Sequence, residues 1–104
     1  MEEFSSVGKT ADLAPGEMKM VEVQGEEILI ANLDGNFYAV SDVCTHAEAS
    51  LSDGTLEGNC VECPLHGSMF DITSGEEIEG PTNGPLKCYE LLLDGGNIFV
   101  KPSS

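Results

Sequence analysis

Short apolar stretches punctuated by glycine and proline run the length of the chain, and none of them is long. Windows at 18–23, 28–33, 37–41, 59–62, 69–72, 89–93 and 97–101 have the length and residue types of strands, bounded by turn residues. Asp34-Gly35 predicts a tight turn between two of these strands, Asp94-Gly95-Gly96 a hairpin between the last pair, and Pro15-Gly16 opens the first hairpin region. No window has a convincing helical period, although residues 10–13 could make one short turn. The pattern predicts an all-β fold, a small antiparallel sandwich or barrel, with a part poorer in strand signal inserted between Val43 and Pro85. Linkers, repeats and low-complexity tracts are absent. The expectation is one domain, 1–104, with a base at about 1–42 and 86–104 and an inserted part at about 43–85.

Composition narrows the picture. A chain of 104 residues that is 40% apolar has a thin core, and chains this short usually need a staple such as a metal, a disulfide or a partner. Nineteen acidic residues against four basic ones give a formal net charge of -15, which argues against binding nucleic acid or an anionic membrane. The longest apolar run, 28–33, is far too short to span a bilayer and contains Asn32. Met1-Glu2-Glu3-Phe4 has neither the basic nor the hydrophobic region of a secretion signal. A cytoplasmic setting follows as the expectation, where cysteines stay reduced and serve as ligands more often than as disulfides.

The inserted part carries the candidate chemistry. It contains Cys44-Thr45-His46 and, after sixteen intervening residues, Cys63-Pro64-Leu65-His66-Gly67-Ser68, so both histidines of the chain sit close to a cysteine. Each loop offers one thiolate and one imidazole, a donor set suited to soft metals and to two ions side by side. A single four-ligand zinc site of two Cys and two His is also physically acceptable, although the usual order places both cysteines before both histidines. Cys60-Val61-Glu62-Cys63 has the spacing of a redox dithiol but lacks the strand-to-helix setting that makes such thiols reactive. Cys60 reads better as a small apolar filler in a strand, and Cys88 as structural or incidental.

Cys44-Thr45-His46 and Cys63-Pro64-Leu65-His66-Gly67, at this separation, resemble the Rieske [2Fe–2S] motif. Phe37-Tyr38-Ala39-Val40 running into Asp42 and Cys44, then Phe70-Asp71, Ser74-Gly75, and Gly80-Pro81 through Pro85-Leu86, extend the resemblance over the whole chain. It is closest to the soluble Rieske-type ferredoxins of bacterial aromatic-ring dioxygenase systems. The resemblance implies one [2Fe–2S] cluster, with Cys44 and Cys63 on the inner ferric iron and His46 and His66 on the outer iron, which changes valence. Two ferric ions, two sulfides and two thiolates carry no net formal charge, so the oxidised cluster adds none to the acidic surface and reduction adds one negative charge. Exchanging two thiolates for neutral imidazoles raises the potential above that of an all-cysteine cluster.

Further expectations come from the same comparison. Ser68 matches a serine that donates to a bridging sulfide, and Gly67 eases close approach of the backbone. Amides of 44–48 and 63–68 are expected to point at the sulfurs. Pro81 and Pro85 belong to a stiff loop that covers one side of the cluster. Respiratory Rieske proteins carry two further cysteines that bridge the loops; Ala49 and Leu65 stand at those positions here, so no bridge can form. Phe70 stands where a tyrosine would add a second hydroxyl donor near Cys63. Fewer donors and no bridge place the potential toward the low end of the roughly -150 to +300 mV Rieske range.

The functional expectation is one-electron carriage, not catalysis. Rieske oxygenases add a mononuclear iron held by two His and a carboxylate, and this chain has no third histidine and no flavin or nicotinamide fingerprint. The implied partners are a flavin-containing ferredoxin reductase and a terminal oxygenase, met by a monomer. Two alternatives stand beside this: a Rieske-like small subunit of a nitrite-reductase-type enzyme, and a zinc-stapled interaction domain. Acidity suits solubility or salt adaptation, or else Glu48, Glu76, Glu77 and Glu79 dock a basic patch on a partner. Apolar docking would instead use Leu65, Pro81 and Pro85.

Overall fold

The computed structural model describes residues 4–44, 49–64, 67–79 and 84–102. Among them are ten strands: β1 (Ser5–Lys9), β2 (Met18–Val23), β3 (Glu26–Leu33), β4 (Asn36–Ser41), β5 (Thr55–Glu57), β6 (Cys60–Glu62), β7 (Met69–Asp71), β8 (Glu77–Glu79), β9 (Cys88–Asp94) and β10 (Asn97–Lys101). Two 3-10 turns, Thr10–Asp12 and Leu51–Asp53, are the described helical elements. No described helix is long and apolar enough to cross a membrane.

Six strands form an antiparallel sheet in the order β1-β10-β9-β4-β3-β2, rolled into a nearly closed barrel. The other four form a separate sheet in the order β5-β6-β7-β8, contributed by chain that lies between β4 and β9. The all-β expectation therefore holds, as a barrel-like sheet with a smaller second sheet.

β3 explains how one short chain supports two cores. Alternate side chains of a strand point to opposite faces. Ile28 and Ile30 enter the barrel core with Leu13, Ala39, Ile98 and Val100. Leu29, Ala31 and Leu33 enter a second core with Val40, Leu51, Val61, Phe70, Ile72 and Leu86. A strand buried on both faces needs an unbroken apolar run, which is why 28–33 alone lacks polar alternation. Its exception, Asn32, is buried but satisfied: its amide donates to Leu13 O at 2.8 Å and its Oδ1 accepts from Gly35 N–H at 2.7 Å. Phe70 is fully buried between the two sheets' contributions, a position worth roughly 2–3 kcal/mol in apolar transfer.

Turns follow from local chemistry. Asp34 and Gly35 both have positive φ (56° and 96°), the geometry of a hairpin turn matched to strand twist. Gly95-Gly96 does the same between β9 and β10. Three strands escaped the sequence pattern. β1 pairs along β10 with a register shift between Ser6 and Gly8, and its two serines, glycine and lysine give no apolar alternation. β5 and β8 are three-residue strands at the edges of the second sheet, and β8 reads Glu-Ile-Glu. Exposed edge strands are kept short and charged to avoid pairing with other chains, which removes the signal that would reveal them. The 59–62 and 69–72 expectations shorten by one residue each, to β6 and β7.

Candidate metal centre

Two loops of the central part are closed by the same hydrogen bond. Cys44 N–H donates to Ala49 O at 3.0 Å, and Cys63 N–H donates to Ser68 O at 2.7 Å, so each loop opens on a cysteine and closes five residues later. The first sits on the isolated bridge Val43↔Ser50, the second on the β6–β7 ladder through Glu62↔Met69. Inside the second loop Gly67 N–H donates to Cys63 O at 3.2 Å, with Gly67 at φ 73°, a conformation that suits glycine. The amides of Cys44, Cys63 and Gly67 are therefore spent on loop closure. The other amides expected to point at the sulfurs include those of 45–48 and 65–66, which lie outside the described residues.

Cys44 and Cys63 are 3% and 1% exposed and belong to one buried cluster with Leu51, Val61 and Phe70. Neither is in a disulfide, and Cys60 and Cys88 are also free. Ala49 is packed against the same cluster, so the site of a would-be bridging cysteine is filled by a methyl group. Ser68 is fully buried beside them. His46, His66, Leu65, Glu48 and Pro81 lie outside the described residues. Pro85 is exposed, on a segment anchored by Leu86 N–H donating to Gly75 O at 2.7 Å.

The other two cysteines stand apart. Burial pushes the Cys60 thiol up, and Asp71 and Glu57 push it further; burial alone raises Cys88. Thiols held protonated are poor nucleophiles and poor redox partners, consistent with setting the Cys60–Cys63 spacing aside. Cys60 lies in β6, partly buried, and Cys88 opens β9, exposed.

Asp42, Ser52 and Gly54 also shape the site, and only Asp42 stood in the sequence motif. Asp42 is fully buried and accepts from Ser52 N–H at 2.8 Å and Ser52 Oγ–H at 3.1 Å. Burial drives its carboxyl above the ordinary range, while the two Ser52 bonds pull it back. Gly54 lies against the Glu62 backbone, directly before Cys63: a Cβ there would sit 1.9 Å from Glu62 O. A hollow of about 340 Å³ opens beside Cys63 and is walled by Asp53, Thr55, Glu62, Pro64 and Gly67, so its rim is acidic. Glu76, Glu77 and Glu79 are exposed.

Paired loops, each led by a buried unbridged thiol, one on an isolated bridge and the other on the small second sheet, suit a soft metal centre. Its donor set fits an iron–sulfur cluster, whose inner iron takes thiolates. The chain belongs to the Rieske [2Fe-2S] domain family, whose model matches residues 3–90. It is 38% identical over 97 residues to the ferredoxin component of biphenyl 2,3-dioxygenase from Rhodococcus jostii (strain RHA1), covering 93% of this chain and 91% of that one. It superposes at a TM-score of 0.92 on the ferredoxin of carbazole 1,9a-dioxygenase from Nocardioides aromaticivorans IC177, 32% identical, covering 96% of this chain and 98% of that one. A complex of reduced oxygenase and oxidised ferredoxin in carbazole 1,9a-dioxygenase matches equally well, with a TM-score of 0.92 and 33% identity over 97% of this chain and 94% of that one. The cofactor is one [2Fe–2S] cluster, and the protein is an electron-carrying ferredoxin component rather than a catalytic oxygenase.

Proposed function

We propose that this ferredoxin takes single electrons from a flavin-containing ferredoxin reductase and delivers them to a terminal aromatic-ring oxygenase, as a cytoplasmic monomer. The observation that carries the reading is the matched pair of loops headed by buried, unbridged Cys44 and Cys63. In this reading Cys44 and Cys63 hold the inner iron, and His46 and His66 the outer one. The domain is 1–104, with 43–85 as the cluster-binding part and 1–42 and 86–104 as its base. Bound there, the cluster supplies one-electron redox capacity at neutral pH. The protein's own residues do the rest: the core around Leu51, Val61 and Phe70 keeps water from the thiolate side, and prolines at 81 and 85 would restrict the backbone between β8 and β9. The oxygenase partner is supported by a similar ferredoxin seen with its oxygenase, and the reductase is the electron source such a carrier needs. Purified protein mixed with a flavoprotein reductase, NADH and a ring-hydroxylating oxygenase tests the reading: catalytic amounts should restore oxygenase turnover. Reduction without onward transfer would defeat it.

Ser68, fully buried beside Cys63, would tune the carrier by offering its hydroxyl to the cluster's sulfur. A lost donor leaves the reduced, more negative cluster less stabilised. Ser68→Ala is expected to lower the midpoint by roughly tens of millivolts, a scale set by hydrogen bonds to the sulfurs. An unchanged midpoint in protein-film voltammetry would remove this role.

The acidic surface makes a separate prediction. Glu48, Glu76, Glu77 and Glu79 face a basic patch on the partner, and attraction between exposed charges is screened beyond about 8 Å at physiological salt. The second-order rate of electron transfer should therefore fall several-fold between about 20 mM and 500 mM salt. A flat stopped-flow profile would assign docking to Pro81, Pro85 and Leu65 instead.

A further inference from the structure

The two cysteine loops are closed alike but supported unequally. Below the second loop, β6 and β7 run as a ladder through Glu62↔Met69, Val61↔Phe70 and Cys60↔Asp71. Below the first there is a single bridge, Val43↔Ser50, because the chain bends at once into the 3-10 turn Leu51–Asp53 and pairing stops. A turn entering this way leaves amides without helical partners, and its own N-cap, Ser50, makes no side-chain cap bond. Asp42 takes over both tasks. Its carbonyl accepts Leu51 N–H at 2.7 Å, its Oδ1 accepts Ser52 N–H at 2.8 Å, and its Oδ2 accepts Ser52 Oγ–H at 3.1 Å. Its own N–H donates to Glu27 O at 3.0 Å, which fastens the assembly to β3 of the barrel.

The geometry points to Asp42 as a positioning residue for the cluster: through Ser52 it replaces the missing ladder and fixes the Cys44 loop on the barrel. This rests on the assignment of Cys44 as a ligand. The side chain is fully buried, two residues before Cys44 in the chain, and its contacts are to the loop's exit at Ser52. It acts by holding the entry and exit of that loop together, and the second loop, with its own ladder, does not depend on it.

The prediction is an asymmetry that general core damage would not produce. In the oxidised holoprotein, amide hydrogen exchange in Asp42→Ala should accelerate at least tenfold over 44–52 and change less than twofold over 61–70. Asp42→Asn keeps an oxygen for Ser52 N–H and offers an N–H to Ser52 Oγ, so it should stay within twofold of the parent in both segments. Ser52→Ala, which loses only the hydroxyl donor and serves where Asp42→Ala does not fold, should accelerate exchange about threefold in the first segment alone. Equal acceleration in both loops, or none in either, would overturn the proposal. Cluster release to an iron chelator, followed by loss of visible absorption, should quicken at least threefold in Ser52→Ala. Asymmetric exchange with unchanged release would sustain the clamp and overturn the ligand assignment of Cys44.

Discussion

Cys63→Ser protein is expected to purify colourless and without a reduced-state EPR signal, and Cys44→Ser to do the same, whereas Cys60→Ser and Cys88→Ser keep the full visible spectrum. The contrast follows from the environments. Cys44 and Cys63 head the two closed loops and are nearly fully buried. Cys60 lies three residues before Cys63, in β6, paired with Glu57 and Asp71; burial first, and then these two carboxylates, push its thiol up. A serine hydroxyl is a hard, weakly acidic donor, and replacing thiolate with it removes the soft ligand the inner iron takes. Stability should follow, because a cofactor that binds only the folded state stabilises it by mass action. Loss of the cluster should lower Tm by about 10 °C or more, given roughly 4–8 °C per kcal/mol for a domain of this size. Differential scanning calorimetry beside iron and sulfide analysis checks both halves. A Cys63→Ser protein that stays coloured, and loses its cluster only when Cys60→Ser is added, would reassign the ligand to Cys60.

Much of this site was legible before any fold was known, for a physical reason. Cluster ligands are few residue types at fixed short spacing, and the chain has just two histidines, each beside a cysteine. Strands were legible where burial imposes a pattern: 28–33 of β3, buried on both faces, is apolar but for Asn32, and β10 buries Ile98 and Val100 two residues apart. The unread parts depend on partners distant in sequence. β1 is a strand because β10 offers it an edge, and β8 because β7 does. Asp42 looks like a surface acid until Ser52, ten residues on, is seen donating twice to its carboxylate. Gly54 resembles any loop glycine, since its φ of -90° lies in the region other residues reach. What singles it out is the Glu62 backbone against its Cα face, and no local pattern encodes that.

For that reason Gly54→Ala is expected to be the most damaging single methyl group in the chain's centre. A Cβ at 54 would lie 1.9 Å from Glu62 O, 3.1 Å from Glu62 C and 3.2 Å from Leu51 O, all backbone atoms that cannot rotate away. Relief requires moving either the 3-10 turn that follows the first loop or the end of β6 that precedes Cys63. The cost should be about 3 kcal/mol or more, the upper range for overpacking. With Tm shifts of roughly 4–8 °C per kcal/mol, that is a fall of about 15 °C or more. The control is Gly58→Ala in the β5–β6 turn, where φ is 59° and nothing lies within 4 Å of the new methyl. There the penalty is only the left-handed backbone, about 1–2 kcal/mol. The two variants should also differ in kind. Gly58→Ala should assemble a normal cluster at slightly lower Tm, because its turn lies at the far end of β6 from Cys63. Gly54→Ala should lose cluster occupancy as well, because the displaced backbone carries Cys63 away from its counterpart in the Cys44 loop. Equal iron content in the two purified variants would show that the Gly54–Glu62 contact stabilises the sheet without setting the spacing of the ligand loops.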